Sequence, residues 1–199
     1  MIFAIILVII IGVLAGHFFA PAYLINNLNF ISTACLSILI LGVGIDLGSN
    51  QKVIAKLKEQ GMKIILIPIL IAIGSIIGTT VAGLILNLSL NESSAIGAGF
   101  GWYSLSGVII SRIYSANLGT LAFLTNVFRE LLAIILIPVL AGLDNEIIVI
   151  APGGATTMDT TLPLIAESVT KKEVVAFAFI SGAVLSALVP ILVPLLIKI

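Results

Sequence analysis

Charged residues are scarce in this chain of 199 residues: nine are basic, nine are acidic, and together they make up 9% of the sequence. A typical soluble domain carries about 25% charged and roughly 45–50% apolar residues, whereas this chain is 60% hydrophobic. A water-soluble fold of this size needs a polar exterior that so few charges cannot cover. The composition therefore indicates a membrane protein, with the lipid bilayer as its main surroundings.

Cysteine and histidine are almost absent, with one residue of each, Cys35 and His17. One cysteine excludes an internal disulfide and a multi-cysteine metal site, and one histidine argues against a hydrolytic triad. The net charge is zero and the basic residues form no long stripe, so nucleic acid is not an expected partner. We predict no cofactor, no metal and no enzymatic activity.

Long hydrophobic runs are what the chain has in abundance. The length of each run is close to the 20 residues that a helix needs to cross a hydrocarbon core of about 30 Å. The predicted segments are 2–20, 30–48, 62–87, 94–113, 118–142, 146–166 and 173–198. The sequence predicts an all-α, polytopic membrane helix bundle in which residues 1–199 form a single transport domain. No basic residues precede the first segment, which we therefore interpret as a retained helix rather than a signal peptide.

Basic residues predict the orientation, because cytoplasmic loops near helix ends collect lysine and arginine. They cluster in the second, fourth and sixth connections, at Lys52, Lys56, Lys58, Lys63, Arg112, Lys171 and Lys172. This pattern predicts a multi-pass protein of the cell membrane with its N-terminus inside and its C-terminus outside.

Two of the segments are interrupted by helix-breaking residues. Segment 94–113 contains four glycines, and segment 146–166 contains a Pro-Gly-Gly triplet and Pro163. We predict that both are broken or re-entrant helices. The charges alone do not separate re-entry from full crossing, because both models place the ends of the chain on the same sides.

Arg129 and Glu130 lie near the middle of the otherwise apolar segment 118–142. A charge at that depth costs about 2.5–3.5 kcal/mol on insertion scales, so such residues usually face a cavity, pair with one another or mark a transport path. Asn126 lies four residues before Glu130, on the same helical face. We predict that all three line a substrate or proton pathway; a purely structural ion pair with another helix is the alternative.

The sixth segment gathers polar groups directly after its break. Residues 151–163 read Ala-Pro-Gly-Gly-Ala-Thr-Thr-Met-Asp-Thr-Thr-Leu-Pro. A broken helix exposes free N–H and C=O groups, which together can hold an amino-acid headgroup or an ion. We predict pathway roles for Gly153, Gly154, Thr156, Thr157 and Asp159; a polar surface loop is the alternative.

The fourth segment places an aromatic pair and two hydroxyls among its glycines. Residues 97–107 read Gly-Ala-Gly-Phe-Gly-Trp-Tyr-Ser-Leu-Ser-Gly. Trp102 and Tyr103 are either interfacial anchors or cavity-lining residues that contact an ammonium group. We include them, with Ser104 and Ser106, in the predicted pathway.

Asp46 lies in the glycine-rich run 41–50, Leu-Gly-Val-Gly-Ile-Asp-Leu-Gly-Ser-Asn. It is either an interfacial helix cap or a carboxylate that water or substrate approaches through a thinned helix. It is the last of the predicted pathway residues.

Four stretches together resemble the LysO lysine exporter family (DUF340). They are 41–50, 97–107, 153–163 and Phe-Arg-Glu-Leu-Leu-Ala-Ile-Ile-Leu-Ile-Pro at 128–138, and they follow the family's order along nearly the whole chain. The resemblance implies proton-driven export of L-lysine, and of analogues such as thialysine, across the cytoplasmic membrane. It also implies essential intramembrane acids, for which Glu130 is the best match and Asp159 the second.

The resemblance covers only the C-terminal two-thirds of the family's full-length pattern, because about three N-terminal helices have no counterpart here. It implies either a small membrane partner that supplies the missing helices or a homodimer. The rival class of function is a non-transporting structural or assembly subunit, in which the polar residues only join helices.

Overall fold

The computed structural model describes residues 61–198, except for the side chains of Met62 and Lys63, together with individual positions between residues 7 and 59. Every element of residues 61–198 is helical, which confirms the predicted all-α class. The α-helices are α1 (Leu66–Ile85), α2 (Leu90–Gly97), α3 (Tyr103–Ile113), α4 (Ala116–Leu140), α5 (Ile150–Gly153), α6 (Leu162–Ser168) and α7 (Lys172–Lys198). The 3₁₀ turns are Gly61–Ile65, Glu146–Val149 and Gly154–Met158. Predicted segments 2–20 and 30–48 lie largely outside the described residues.

Within the described residues, three helices, α1, α4 and α7, are long and apolar enough to cross a membrane. They contain 20, 25 and 27 residues, respectively. At a rise of 1.5 Å per residue, even the shortest is about 30 Å long, the thickness of a hydrocarbon core.

The predicted segment 94–113 folds back on itself. We name residues 90–113 the first hairpin, which consists of α2, a tip and α3. Its two ends meet where the Tyr114 hydroxyl donates a hydrogen bond to the Glu92 carboxylate at 3.0 Å. A capping box between Ser89 and Glu92 begins α2 at the same place. The hairpin therefore enters and leaves at the C-terminal end of α1.

The predicted segment 146–166 also folds back. We name residues 146–168 the second hairpin. The Glu146 carboxylate at its start accepts hydrogen bonds from the backbone N–H groups of Thr170 (3.1 Å) and Lys171 (2.9 Å), just after its end. These N–H groups precede α7, so Glu146 also satisfies donors at that helix N-terminus.

The two hairpins enter from opposite ends of the bundle. The first ends where α4 begins, and the second begins just after α4 ends, about 37 Å further along that helix. Their tips meet in the interior, where the backbone N–H of Ala155 donates to the carbonyl of Phe100 at 2.8 Å. The structure thus confirms that both segments are broken and shows each of them folded back on itself.

Small residues allow the helices to approach closely. A Cβ at Gly119 of α4 would overlap the Ser111 side chain of α3, and one at Gly182 of α7 would overlap the backbone of Met158. Lipid provides little hydrophobic driving force between helices, so close packing of small residues contributes much of their association. Gly182 therefore lets the tip of the second hairpin lie directly against α7.

Candidate functional site

The broken end of the first hairpin is held by Asn126 of α4. Its side-chain amide donates to the carbonyl of Ile96 at 3.2 Å, and its amide oxygen accepts from the backbone N–H of Gly101 at 2.7 Å. The carbonyl of Ile96 lies in the last turn of α2, and the N–H of Gly101 lies within the break between α2 and α3. Asn126 is buried, so it pairs groups that water does not reach.

The broken end of the second hairpin is held by Arg129, three residues further along α4. Its Nε donates to the carbonyl of Pro152 at 3.0 Å, and Nη2 donates to the carbonyl of Ala151 at 3.1 Å. These carbonyls lie in the last turn of α5 and have no helical donor, because the chain turns away at Gly154. A cation at a helix C-terminus is also favoured by the helix dipole.

Ser75 of α1 connects the two breaks. Its hydroxyl donates to the carbonyl of Gly97 at the end of α2 (3.0 Å) and accepts from Nη1 of Arg129 at 2.6 Å. The interrupted helices are thus tied to α1 and α4 by a continuous polar network.

Two glycines at the tips have backbone conformations that other residues rarely adopt. Gly101 has φ of 98° and Gly154 has φ of 61°. A Cβ at Gly154 would also overlap the carbonyl oxygen of Phe100 and lie 2.8 Å from Nη2 of Arg129. Glycine is therefore required at residue 154 both for conformation and for space.

A cavity of about 160 Å³ lies beside the two tips. A water molecule needs roughly 10–15 Å³ by this measure, so the cavity has room for several waters or a small solute. Its walls come from both hairpins, α4 and α7: Gly101, Trp102, Tyr103, Ser104, Glu130, Ala155, Thr156, Met158, Asp159, Thr160 and Ser186.

Two carboxylates share this cavity, although 29 residues separate them in the sequence. Glu130 comes from α4, and Asp159 follows the 3₁₀ turn of the second hairpin. Both are partly buried. Two like charges in one half-buried cavity repel each other, so the arrangement favours binding a cation or a proton.

Thr160 directly follows Asp159 and lines the cavity together with both carboxylates. Its backbone N–H donates to Oδ1 of Asp159 at 2.6 Å, and its hydroxyl is 3.4 Å from the same oxygen. A hydroxyl has one proton to donate, so Thr160 can donate to only one carboxylate at a time.

Hydrogen-bond donors occupy another part of the wall. Helix α3 begins at Tyr103, and among the described residues no side chain caps its N-terminus, although the N–H groups of Trp102 and Tyr103 already donate to the carbonyls of Gly99 and Gly101. The first N–H groups of a helix have no intrahelical acceptor and attract negative charge. The start of α3 and the hydroxyl of Ser104 therefore suit an anionic group such as a carboxylate.

Eight of the predicted pathway residues line either the cavity or a separate groove. Glu130, Asp159, Trp102, Tyr103, Ser104 and Thr156 line the cavity. Arg129 and Asn126 instead line a groove of about 610 Å³ between α1 and α4. The aromatic pair lies at the hairpin tip, and the Tyr103 ring packs edge-on against Phe123 with 5.4 Å between centroids.

The remaining predicted residues hold the tips in place. Ser106 donates to the carbonyl of Trp102, and Thr157 donates to carbonyls in the second hairpin and in α7, at Ala178. Gly153 and Gly154 form the break itself. Asp46 lies outside the described residues.

Sequence reasoning missed Ser75, Thr160 and Ser186. Thr160 adjoins Asp159 in a segment already recognised as polar, so its neighbourhood was a usable signal. Ser75 and Ser186 are isolated serines in apolar helices, and nothing in their local sequence distinguishes them from serines that bond to their own helix.

Comparisons with known proteins agree with the family that the sequence motifs resemble. The family model for the lysine exporter LysO matches residues 6–197. The chain is 37% identical over 162 residues to the lysine exporter LysO of Escherichia coli strain K12, covering 79% of this chain and 52% of that protein. It is 33% identical over 156 residues to a protein of Haemophilus influenzae strain Rd named as a candidate lysine exporter, covering 77% of each chain.

The matched region spans about half the length of the Escherichia coli relative. No solved structure matches the chain. With a family model that spans residues 6–197, and with the stretches 97–107, 128–138 and 153–163 folding into one polar centre, the chain belongs to the LysO lysine exporter family.

Proposed function

We propose that this chain is the substrate-binding membrane domain of an exporter that moves L-lysine, and analogues such as thialysine, out of the cytoplasm in exchange for protons. The observation that carries the proposal is the meeting of Glu130 and Asp159 in one cavity at the tips of two opposed hairpins. The names of the relatives support lysine as the substrate.

Lysine is complementary to the chemistry of the cavity. Its two ammonium groups would be compensated by Glu130 and Asp159, and its carboxylate would lie at the N-terminus of α3 beside Ser104. Trp102 and Tyr103 belong to the same wall and would contact an ammonium group through their ring faces.

Proton coupling would follow because lysine and protons would compete for the same two carboxylates. Partial burial favours the neutral form of a carboxyl group, and a bound cation favours the charged form. Protonation would therefore release lysine, and lysine binding would displace protons. Thr160 would switch its hydroxyl between the two carboxylates as their charges change.

Arg129 would act mainly by positioning the second hairpin, because three of its nitrogens already bind Ser75 and backbone carbonyls. Direct binding of the substrate carboxylate, or neutralisation of Glu130 in the empty state, is the competing role that the sequence suggests.

The orientation follows from the ends of the hairpins. Lys171 and Lys172 follow the second hairpin and lie close to the Gly61–Ile65 turn, while Arg112 and Lys198 lie at the other end of the bundle. We place the lysine-rich end in the cytoplasm. If segments 2–20 and 30–48 both cross, the N-terminus is inside and the C-terminus outside.

Lysine efflux from loaded proteoliposomes tests the function, measured with the whole chain at several pH gradients. Glu130→Gln should reduce efflux at least about tenfold and weaken its pH dependence, because the amide neither titrates nor carries charge and only Asp159 of the two carboxylates remains. Glu167→Gln, which changes an exposed acid on α6, is the matched control and should behave like the wild type. Unchanged, pH-dependent efflux by Glu130→Gln would remove this residue from the scheme.

The need for a partner is tested by reconstituting the chain alone and together with the product of the adjacent reading frame. Transport by the chain alone supports a self-sufficient domain, such as a homodimer. Transport only in the mixture supports a small partner that supplies further helices. Absence of lysine transport in both preparations would leave a structural or assembly subunit as the function.

A further inference from the structure

Ser186 of α7 has a buried hydroxyl at the cavity wall. The residue is only 7% exposed, and its Oγ has no hydrogen-bond partner among the described residues. It lines the same cavity as Glu130 and Asp159. Of the residues that line this cavity, it is the one contributed by α7.

An unpaired hydroxyl in this position is unusual. Serine in a membrane helix normally donates to the carbonyl four residues earlier in its own helix, and buried polar groups nearly always have a partner. A polar ligand in the adjoining cavity would supply that partner after a small rotation about χ1. The free-energy cost of burying the hydroxyl without a partner would then be offset only when a ligand occupies the cavity.

The charges in the cavity indicate which part of a ligand this hydroxyl meets. The charged side chains that line it, Glu130 and Asp159, are both acidic, so they attract ammonium groups and repel a carboxylate. A substrate carboxylate must therefore lie against uncharged donors. Ser186 lies one turn beyond Gly182, on the face of α7 that touches the tip of the second hairpin.

We infer that the Ser186 hydroxyl donates a hydrogen bond to the carboxylate of the substrate, and so selects a cationic amino acid over a diamine that lacks the carboxylate. This inference rests on the proposed function, since it adds a contact from α7 to the lysine carboxylate that is proposed to lie at the start of α3 in the same cavity.

The chain contains a close internal control, Ser181. It lies five residues earlier on α7, is fully buried, and likewise has no hydrogen-bond partner among the described residues. It is not among the residues that line the cavity. Alanine at either position removes an unpaired buried hydroxyl, which should leave folding intact.

The test is equilibrium binding to the purified full chain in lipid nanodiscs, with its partner if transport requires one, using radiolabelled lysine and radiolabelled 1,5-diaminopentane. The diamine is lysine without its carboxylate. Ser186→Ala should weaken lysine binding about tenfold, the usual effect of losing a hydrogen bond to a charged group. The same change should leave diamine binding unaltered, and Ser181→Ala should alter neither.

Unchanged lysine binding by Ser186→Ala would overturn the inference, as would equal losses for lysine and the diamine or equal losses in the two alanine variants. If Ser186→Ala does not fold, Ser186→Cys provides the same comparison with a side chain of similar size and a weaker donor. Failure of the wild-type protein to bind lysine would instead overturn the proposed function.

Discussion

Asn126 and Arg129, three residues apart on α4, hold the broken ends of two hairpins that enter from opposite ends of the bundle. Asn126 pairs the backbone of the first hairpin at Ile96 and Gly101, and Arg129 pairs the carbonyls of the second at Ala151 and Pro152. Irregular backbone at membrane depth is tolerated only where protein satisfies its polar groups. A single turn of α4 thus stabilises the breaks in both hairpins, whose tips line the cavity.

Asn126→Ala should destabilise the fold, because it leaves the N–H of Gly101 and the carbonyl of Ile96 without their partner. Each unsatisfied buried group costs about 1–3 kcal/mol. Thermal unfolding in detergent should show a clear fall in the melting temperature. Thr120→Ala on the same helix, where the hydroxyl donates to the carbonyl of Ala116, should have little effect. An equal fall for both variants would contradict the role of Asn126.

Arg129→Lys should be nearly as damaging as Arg129→Gln. A single ammonium group cannot reproduce the planar guanidinium that reaches two carbonyls and Ser75 at once. We expect a loss of about 1–3 kcal/mol in stability and a large fall in lysine efflux, with Arg112→Lys at an exposed position as the control. Near-normal efflux by Arg129→Lys would show instead that Arg129 acts as a simple positive charge beside Glu130.

Gly154→Ala should separate the tips of the hairpins. The backbone conformation at Gly154 is essentially restricted to glycine, which costs another residue about 1–3 kcal/mol, and the new methyl group overlaps the carbonyl of Phe100. We expect lower thermal stability and loss of lysine binding. Gly142→Ala adds a Cβ that meets its nearest neighbour, the carbonyl of Val139, at an ordinary 3.4 Å. Tolerance of both changes would show that the tip readily rearranges.

The capping box of the first hairpin should make stability depend on pH. Hydrogen bonds from the backbone N–H and hydroxyl of Ser89, and from Tyr114, hold the pKa of Glu92 below its usual value of 4.5. Because the pKa is lower in the folded state, the stabilising contribution is complete above about pH 4.5 and is lost as the pH falls through the folded-state pKa. Thermal unfolding of Glu92→Gln and the wild type should differ at pH 7 and converge in acid. A difference that persists unchanged below the folded-state pKa would contradict this assignment.

Local sequence determined the fold class and the positions of the breaks. Hydrophobic runs of helical length and the scarcity of charge indicate membrane helices, because the cost of exposing polar groups to lipid applies segment by segment. Pro152-Gly153-Gly154 and the glycines of residues 97–107 predicted the interruptions, since the conformations of glycine and proline are properties of the residues themselves. The intramembrane charges at Arg129 and Glu130 were visible for the same reason.

Only the tertiary structure decided where these residues meet. Whether a broken helix re-enters or crosses depends on contacts between its ends, such as Tyr114 with Glu92, which no local pattern encodes. Arg129 and Glu130 are neighbours in sequence, yet one binds the hairpin backbone and the other lines the cavity, because successive side chains on a helix point about 100° apart. Asp159 and Ser186 come from different elements, and their place beside Glu130 follows from long-range packing of the tips against α4 and α7.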